Sequence, residues 1–333
     1  MGDTLLEATV VPSFSRIGPA VRRRLDQWTP PPRVDGARML VTGASSGIGR
    51  AVAVGLVERG AEVIVTSRSL DRAEQAATGI EEEAADRAVG NRTVGNRTGG
   101  SGPGRAVPAA LDTADFGSVN ALVERLSLEG DPLTAIVHNA GALTADFRTN
   151  DEGMELTLAS HLVGPYHLTT ALRHRLTTPG RVLWMSSGGM YTQGLDVDRL
   201  ELHEEHYRGA VAYARAKRAQ VELVELLGRR WHPEVIMHAM HPGWVATGGI
   251  DEGLPGFSTV MGPLLRSAEA GADTMIWLAC GGADDAAPGS FFLDRRRRGT
   301  AYLPGTGTDD AERQRLLEWL DLVTLPARST TAN

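Results

Sequence analysis

Short apolar runs recur along the chain, separated by longer stretches of helical spacing. Met39–Val41, Val63–Val65, Ala135–Val137, Val182–Met185, Val235–Met237 and Phe291–Leu293 are almost continuously hydrophobic. That is the pattern of strands covered on both faces, as in a parallel sheet, whereas a half-exposed strand alternates. A weaker run at Val107–Leu111 fits the third strand position. Between the runs lie amphipathic segments such as Gly49–Arg59, with Ala51, Val52, Leu56 and Val57 at helical spacing. The strand–helix rhythm from Arg38 to about Leu293 predicts an α/β fold with right-handed crossovers and a doubly wound parallel sheet.

The flanks depart from that rhythm. Residues 1–36 read as an N-terminal extension, 37–300 as one α/β domain and 301–333 as a C-terminal helix and tail. In the extension, Ile17–Leu25 predicts a short helix carrying Arg22, Arg23 and Arg24, with Arg16 just before it and Thr29-Pro30-Pro31-Pro32 ending it. It reads either as a peripheral membrane or partner contact through 16–25 or as a helix packed over the domain's edge. So few basic residues favour the second. Within the domain, 88–105 holds the direct repeat Val-Gly-Asn-Arg-Thr and a Gly-Ser run, which predicts a flexible surface insertion. The run Arg295–Arg298 reads as a solvated turn. Leu316, Leu317, Leu320 and Val323 predict a last amphipathic helix.

Composition narrows the classes. The chain has 333 residues, 42% hydrophobic and 23% charged, which suits one large domain with additions. A formal net charge of −7 argues against a nucleic-acid binder, because no excess of cations is available to neutralise phosphates. Cys280 is the only cysteine, which excludes a disulfide framework and a multi-cysteine metal site. No apolar run approaches the roughly 20 residues needed to span a bilayer, and the start of the chain is a poor secretory signal. The expected compartment is the cytoplasm. Among 34 lysines and arginines, Lys217 is the sole lysine. A compact ammonium and a wide planar guanidinium do different work, so its position matters.

Thr42-Gly43-Ala44-Ser45-Ser46-Gly47-Ile48-Gly49 follows the first strand and opens the first helix of the domain. Glycines there permit a tight turn and a close approach of backbone to a pyrophosphate seated on the helix N-terminus, the Rossmann-type arrangement. Gly43, Ser45, Ser46, Gly47, Ile48 and Gly49 are therefore candidate cofactor contacts. The second strand ends Thr66-Ser67-Arg68, where NAD sites usually carry a carboxylate for the ribose. Hydroxyls and a cation suit a 2′-phosphate instead, so NADP(H) is expected over NAD(H), with Arg68 as main contact and Ser45 or Arg50 assisting. Tyr213 and Lys217 stand four apart on one helix face. A phenol working near neutrality needs its pKa lowered by roughly 3 units, about 4 kcal/mol. A nearby ammonium and an oxidised nicotinamide would supply this. Ser187, after the fifth strand, sits at the carboxyl edge where such sheets bind ligands and would orient a substrate oxygen toward Tyr213.

Taken together these motifs resemble the short-chain dehydrogenase/reductase family, from about residue 37 to 300: the glycine turn at 42–49, Asn139-Ala140-Gly141, Ser187, Tyr213-x-x-x-Lys217 and Pro242-Gly243 leading to Thr247. Within the family the chain is most similar to the dehydrogenase/reductase member 12 group. Ser186-Ser187-Gly188-Gly189-Met190, His241-Pro242-Gly243-Trp244, Leu254-Pro255-Gly256-Phe257 and Ala270-Gly271-Ala272-Asp273-Thr274-Met275 carry that likeness. The resemblance implies hydride transfer between a nicotinamide and an alcohol or carbonyl. Asp112 would contact the adenine, Asn139, Ala140 and Gly141 the cofactor site, and Thr247, beyond Pro242 and Gly243, the carboxamide. It also implies that homo-oligomers are common.

Two positions depart from the family pattern. The usual Asn-Asn-Ala-Gly begins with His138, and the usual active-site asparagine is replaced by His161. His161 reads equally as a prop for the local helix and as a proton relay. Met190, Tyr191, Trp244, Leu254, Phe257 and Met261 are candidate pocket walls, although any one of them also reads as an ordinary core residue. Methionines and flat aromatics suit a hydrophobic small-molecule substrate. The alternative is a scaffold or sensor of the same fold that binds NADP without efficient turnover. An epimerase would need a larger C-terminal domain than the chain has room for.

Overall fold

The computed structural model describes residues 10–93, 102–141, 143–246 and 262–329. Its centre is an eight-stranded sheet. The strands are β1 (Arg38–Val41), β2 (Glu62–Ser67), β3 (Arg105–Ala110), β4 (Leu133–His138), β5 (Leu176–Met185), β6 (Val235–Met240), β7 (Phe291–Leu293) and β8 (Arg296–Arg298). They lie in the order β3-β2-β1-β4-β5-β6-β7-β8, all parallel except the final β7–β8 pair. The chain order reverses between β1 and β4, which opens a crevice at the carboxyl ends of the strands.

Helices follow α1 (Val10–Phe14), α2 (Ile17–Leu25), α3 (Gly47–Glu58), α4 (Leu70–Thr93) and α5 (Phe116–Glu129). In α6, Leu156–Leu158 and Gly164–Leu172 flank a π turn at Ala159–Val163. Then come α7 (Gly209–Trp231), α8 (Ala268–Ala279) and α9 (Asp310–Ser329). Every side chain of β1 is buried, as the continuous apolar run requires of a strand covered on both faces. On one face Met39, Val41, Val63 and Val65 join Val52, Leu56, Met275 and Leu278 of α3 and α8. Toward the other edge Val182, Trp184, Met237 and Phe291 pack with Leu223, Leu227, Leu316 and Leu320 of α7 and α9.

Three segments differ from the sequence expectation. Helix α4 continues to Thr93 and β3 begins at Arg105, so both described ends of the 88–105 segment are regular structure. Of the arginine run, Arg296–Arg298 form a strand and only Arg295 lies in the turn, where Asp294 and Arg295, at φ 52° and 57°, make a tight β7–β8 hairpin. Arg295 binds both oxygens of Asp273 at 2.7 Å, Arg296 pairs with Asp26, and Arg298 is buried. Helix α2 forms at the expected residues, but Arg22 faces inward and is buried, while Arg16, Arg23 and Arg24 are exposed. Among the described residues no helix is long and apolar enough to cross a membrane.

Candidate active site

At the β1–α3 turn, Gly43 and Gly47 adopt φ of 64° and 55°, a region that suits glycine. A Cβ on Gly49 would stand 2.4 Å from the Gly43 carbonyl and 2.3 Å from Asn139 Nδ2. The turn is therefore sealed against side chains and presents bare backbone. Asn139 holds it from β4: its Nδ2 donates to the carbonyls of Thr42 and Gly43 at 3.1 Å, while the amides of Asn139 and Ala140 donate to Thr42 Oγ1 at 3.0 Å. Ser46, the N-cap of α3, makes no side-chain capping bond, so the positive end of the helix stays available to an anion. This cradle fits a dinucleotide pyrophosphate, with Ser45, Ser46, Gly47 and Ile48 at its lip.

Arg68 is exposed just past β2 and makes no ion pair among the described residues. Arg50, expected to assist it, instead turns toward α4, where it binds Glu83 and the Gly79 carbonyl. Asp112 follows β3, and one of its carboxylate oxygens caps the Ala114 amide at 2.9 Å. Pro242 and Gly243 follow β6, whereas Thr247, Leu254, Phe257 and Met261 lie outside the described residues. A surface cavity of about 590 Å³ opens beside Arg38, Glu62 and Arg105 at the amino end of the sheet and touches none of these groups.

On the other side of the crevice α7 brings Tyr213 and Lys217 against the end of β5. Tyr213 is half-buried beside Ser187; desolvation raises the pKa of its phenol, and the serine offsets part of the rise. Lys217 Nζ lies 5.4 Å from the centre of the Tyr213 ring and donates to the Met185 carbonyl at 2.7 Å. Desolvation pushes the amine down to about 7. This differs from a phenol acidified by an adjacent ammonium. Burial disfavours the charged form of both groups, so the structure presents a protonated phenol beside an easily neutralised amine. Such a phenol can donate a proton to a nearby oxygen.

His161 sits in the π turn of α6, its ring edge-on to Tyr213 with centroids 5.2 Å apart. A Cβ on Gly141 would fall 1.8 Å from His161 Cε1, so the imidazole occupies space that only a glycine leaves open. The His161 carbonyl accepts from Gln220 Nε2 at 2.5 Å. Gln220 was not foreseen from sequence, although its place three residues after Lys217, on the same helix face, was the available signal. His138 does not reach this group. It bonds Thr169 Oγ1 at 2.6 Å, packs tilted against Trp184, and is pushed down to about 3 by burial.

Of the candidate walls, Met190 is fully buried and touches Arg218, so it belongs to the core more than to a pocket. Tyr191 and Trp244 are half-buried near the turn after Ser187. The extension reaches this region unexpectedly. Arg266 donates to the carbonyls of Ser13, Phe14, Ser15 and Pro242 at 2.7–3.1 Å and binds both oxygens of Asp294. Arg22 binds Asp294 at 2.5 Å from the other side, and all three residues are buried. The Trp244 amide donates to the Phe14 carbonyl at 2.8 Å. Residues 13–22 are thus tied into the β6 and β7 loops.

A doubly wound sheet with a bare glycine turn at its switch point and a tyrosine–lysine pair across the crevice defines a nicotinamide-dependent oxidoreductase class. Residues 37–252 match the short chain dehydrogenase family, and the chain belongs to that family as an NAD(P)-dependent oxidoreductase. It is similar to dehydrogenase/reductase SDR family member 12 of Bos taurus, 34% identical over 293 residues that cover 87% of this chain and 86% of that protein. It is also similar to human retinol dehydrogenase 14, 31% identical with 84% of each chain covered. Among solved folds, landomycin C-6 ketoreductase LanV with bound NADP and rabelomycin superposes with a TM-score of 0.58, at 23% identity, covering 78% of this chain and 95% of that one.

Proposed function

We propose that the protein interconverts a hydrophobic alcohol and its carbonyl with NADP(H) in preference to NAD(H). Tyr213 is the acid/base, Ser187 the group that orients the substrate oxygen, and Lys217 the group that tunes the phenol. The observation that carries this reading is the convergence, at the end of β5, of a half-buried phenol beside Ser187 and a buried amine beside its ring. When bound, the nicotinamide supplies or accepts the hydride at the substrate carbon. In reduction, Tyr213 gives its proton to the oxygen that Ser187 holds, and burial favours the protonated form this requires. In oxidation the phenol must first lose its proton against that burial. Lys217, held near neutrality's pKa, gains charge readily when an anionic phenolate forms beside it.

The preference for NADP(H) rests on exposed Arg68 at the end of β2, where a guanidinium can bind a phosphate oxygen pair. A ketoreductase relative by fold holds NADP, which agrees with this. Tyr213→Phe should lower turnover by about 10³-fold while NADPH still binds. Equal turnover by the variant would overturn the assignment, and so would a wild type that binds NADPH but reduces nothing in a broad panel of aryl and alkyl ketones. Arg68→Ala should raise the NADPH KM by about tenfold without raising that for NADH.

A further inference from the structure

The geometry points to Phe14, in the N-terminal extension, as a specificity-determining wall of the substrate site, selecting flat, apolar carbonyl compounds. The inference rests on the function proposed above and names the part of the chain that shapes its pocket.

Its first support is position. The ring of Phe14 lies directly over Gly188, the residue after Ser187, and a Cβ there would come 2.7 Å from Phe14 Cε2. Glycine at 188 therefore lets an aromatic face reach the backbone beside the group expected to hold the substrate oxygen. Phe14 stands between the two turns that bound this side of the crevice. It is stacked with Tyr191 at 6.4 Å and 25°, and edge-on to Trp244 at 5.8 Å and 86°. Phe14 itself is only half-buried, so part of its apolar ring remains accessible beside the residue that follows Ser187. A flat aromatic surface at that place favours a planar apolar ligand over a compact polar one.

The second support separates the ring from the anchoring of the segment. Phe14 is held through its carbonyl, which accepts from Arg266 Nε at 2.9 Å and from the Trp244 amide at 2.8 Å. Ser13 and Ser15 are bound by the same guanidinium, and the Arg16 amide donates to the Leu264 carbonyl at 3.0 Å. The backbone is fixed without help from the side chain. The ring is thus pre-positioned at no further ordering cost, which is what a recognition surface requires.

The test uses the full chain saturated with NADPH and a ketone series of increasing flat aromatic area: acetone, acetophenone, 1-tetralone and anthrone. Wild type, Phe14→Ala and Phe14→Leu are compared by ketone binding in calorimetry and by KM and kcat. Phe14→Ala should weaken binding and raise KM of the two largest ketones about tenfold, leave acetone unchanged, and leave the NADPH Kd within about twofold. Phe14→Leu, which keeps apolar volume without the flat face, should show a smaller loss on the same ketones and guards against misfolding of the alanine variant. Unchanged binding of the large ketones in both variants overturns the inference, as does an equal loss for acetone and anthrone, or a wild type that binds none of the series. If wild type binds the large ketones in a Phe14-dependent way but transfers no hydride, the wall stands and the proposed reaction falls.

Discussion

The two sides of the crevice are built by different means. On the β1–β4 side the glycine cradle is made mostly of backbone, with glycines at positive φ held by the short side chains of Thr42 and Asn139. On the β5–β8 side, long charged side chains bring distant segments together. Arg266 and Arg22 converge on Asp294 to hold the extension, while Arg313 and Arg218 converge on Glu222, which is fully buried, to hold α9 and the loop before it. A backbone cradle needs only local chain geometry. A clamp of buried charges needs partners from separate segments, as far apart as Arg22 and Asp294, and stabilises only when every charge is matched.

The sharpest way to break this contrast is Asp294→Ala. It strands two buried guanidinium groups and should cost about 3–5 kcal/mol in urea unfolding, with faster proteolysis between residues 10 and 25. A loss below about 1 kcal/mol would show that the clamp is ornamental.

Gly49→Ala probes the opposite half, where the new methyl meets the Gly43 carbonyl and Asn139. The expected cost is about 1–3 kcal/mol, with NADPH binding weakened at least tenfold in a fluorescence titration. Retained NADPH affinity would mean that the turn yields where the geometry says it cannot.

His138 offers a pH test. Its folded pKa lies near 3, below the unfolded value near 6.5, so the unfolded chain binds a proton that the folded chain refuses. The stability it contributes is present above pH 6.5 and is lost as pH falls toward 3, by about 2 kcal/mol at pH 5. His138→Asn should flatten that part of the urea-midpoint profile, and an unaltered slope would contradict the assignment.

The smallest effect is expected at Gln220→Leu. This frees the His161 carbonyl and should cost about 1 kcal/mol, with a measurable displacement of the pH–rate profile. A purely structural role would lower the melting temperature and leave the profile in place.

The strands, their order of use and the glycine turn were legible because each depends on residues adjacent in sequence. Val63–Val65 had to be a buried strand, and Gly43 to Gly49 had to be a tight turn, wherever their partners lay. The pairing of Tyr213 with Lys217 was equally local, being one helical turn. What escaped was any feature whose cause lies far along the chain. The arginines at 295–298 looked like a solvated run because Asp273 and Asp26, which order them, sit in other segments. Arg50 looked like a phosphate ligand until α4 placed Glu83 beside it. Phe14 sat in an extension with no periodicity to connect it to Ser187.

By itself, then, the order of residues decided the doubly wound sheet, the bare glycine turn and the spacing of a phenol from the sole lysine, since short-range sterics and period-matched hydrophobicity set all three. Tertiary structure alone decided how far that phenol and its neighbouring amine are desolvated and which part of the extension meets the turn after Ser187. Desolvation is a property of what surrounds a group in space: burial raises Tyr213, brings Lys217 to about 7, and lets a phenylalanine near the start of the chain stand over a glycine 174 positions later.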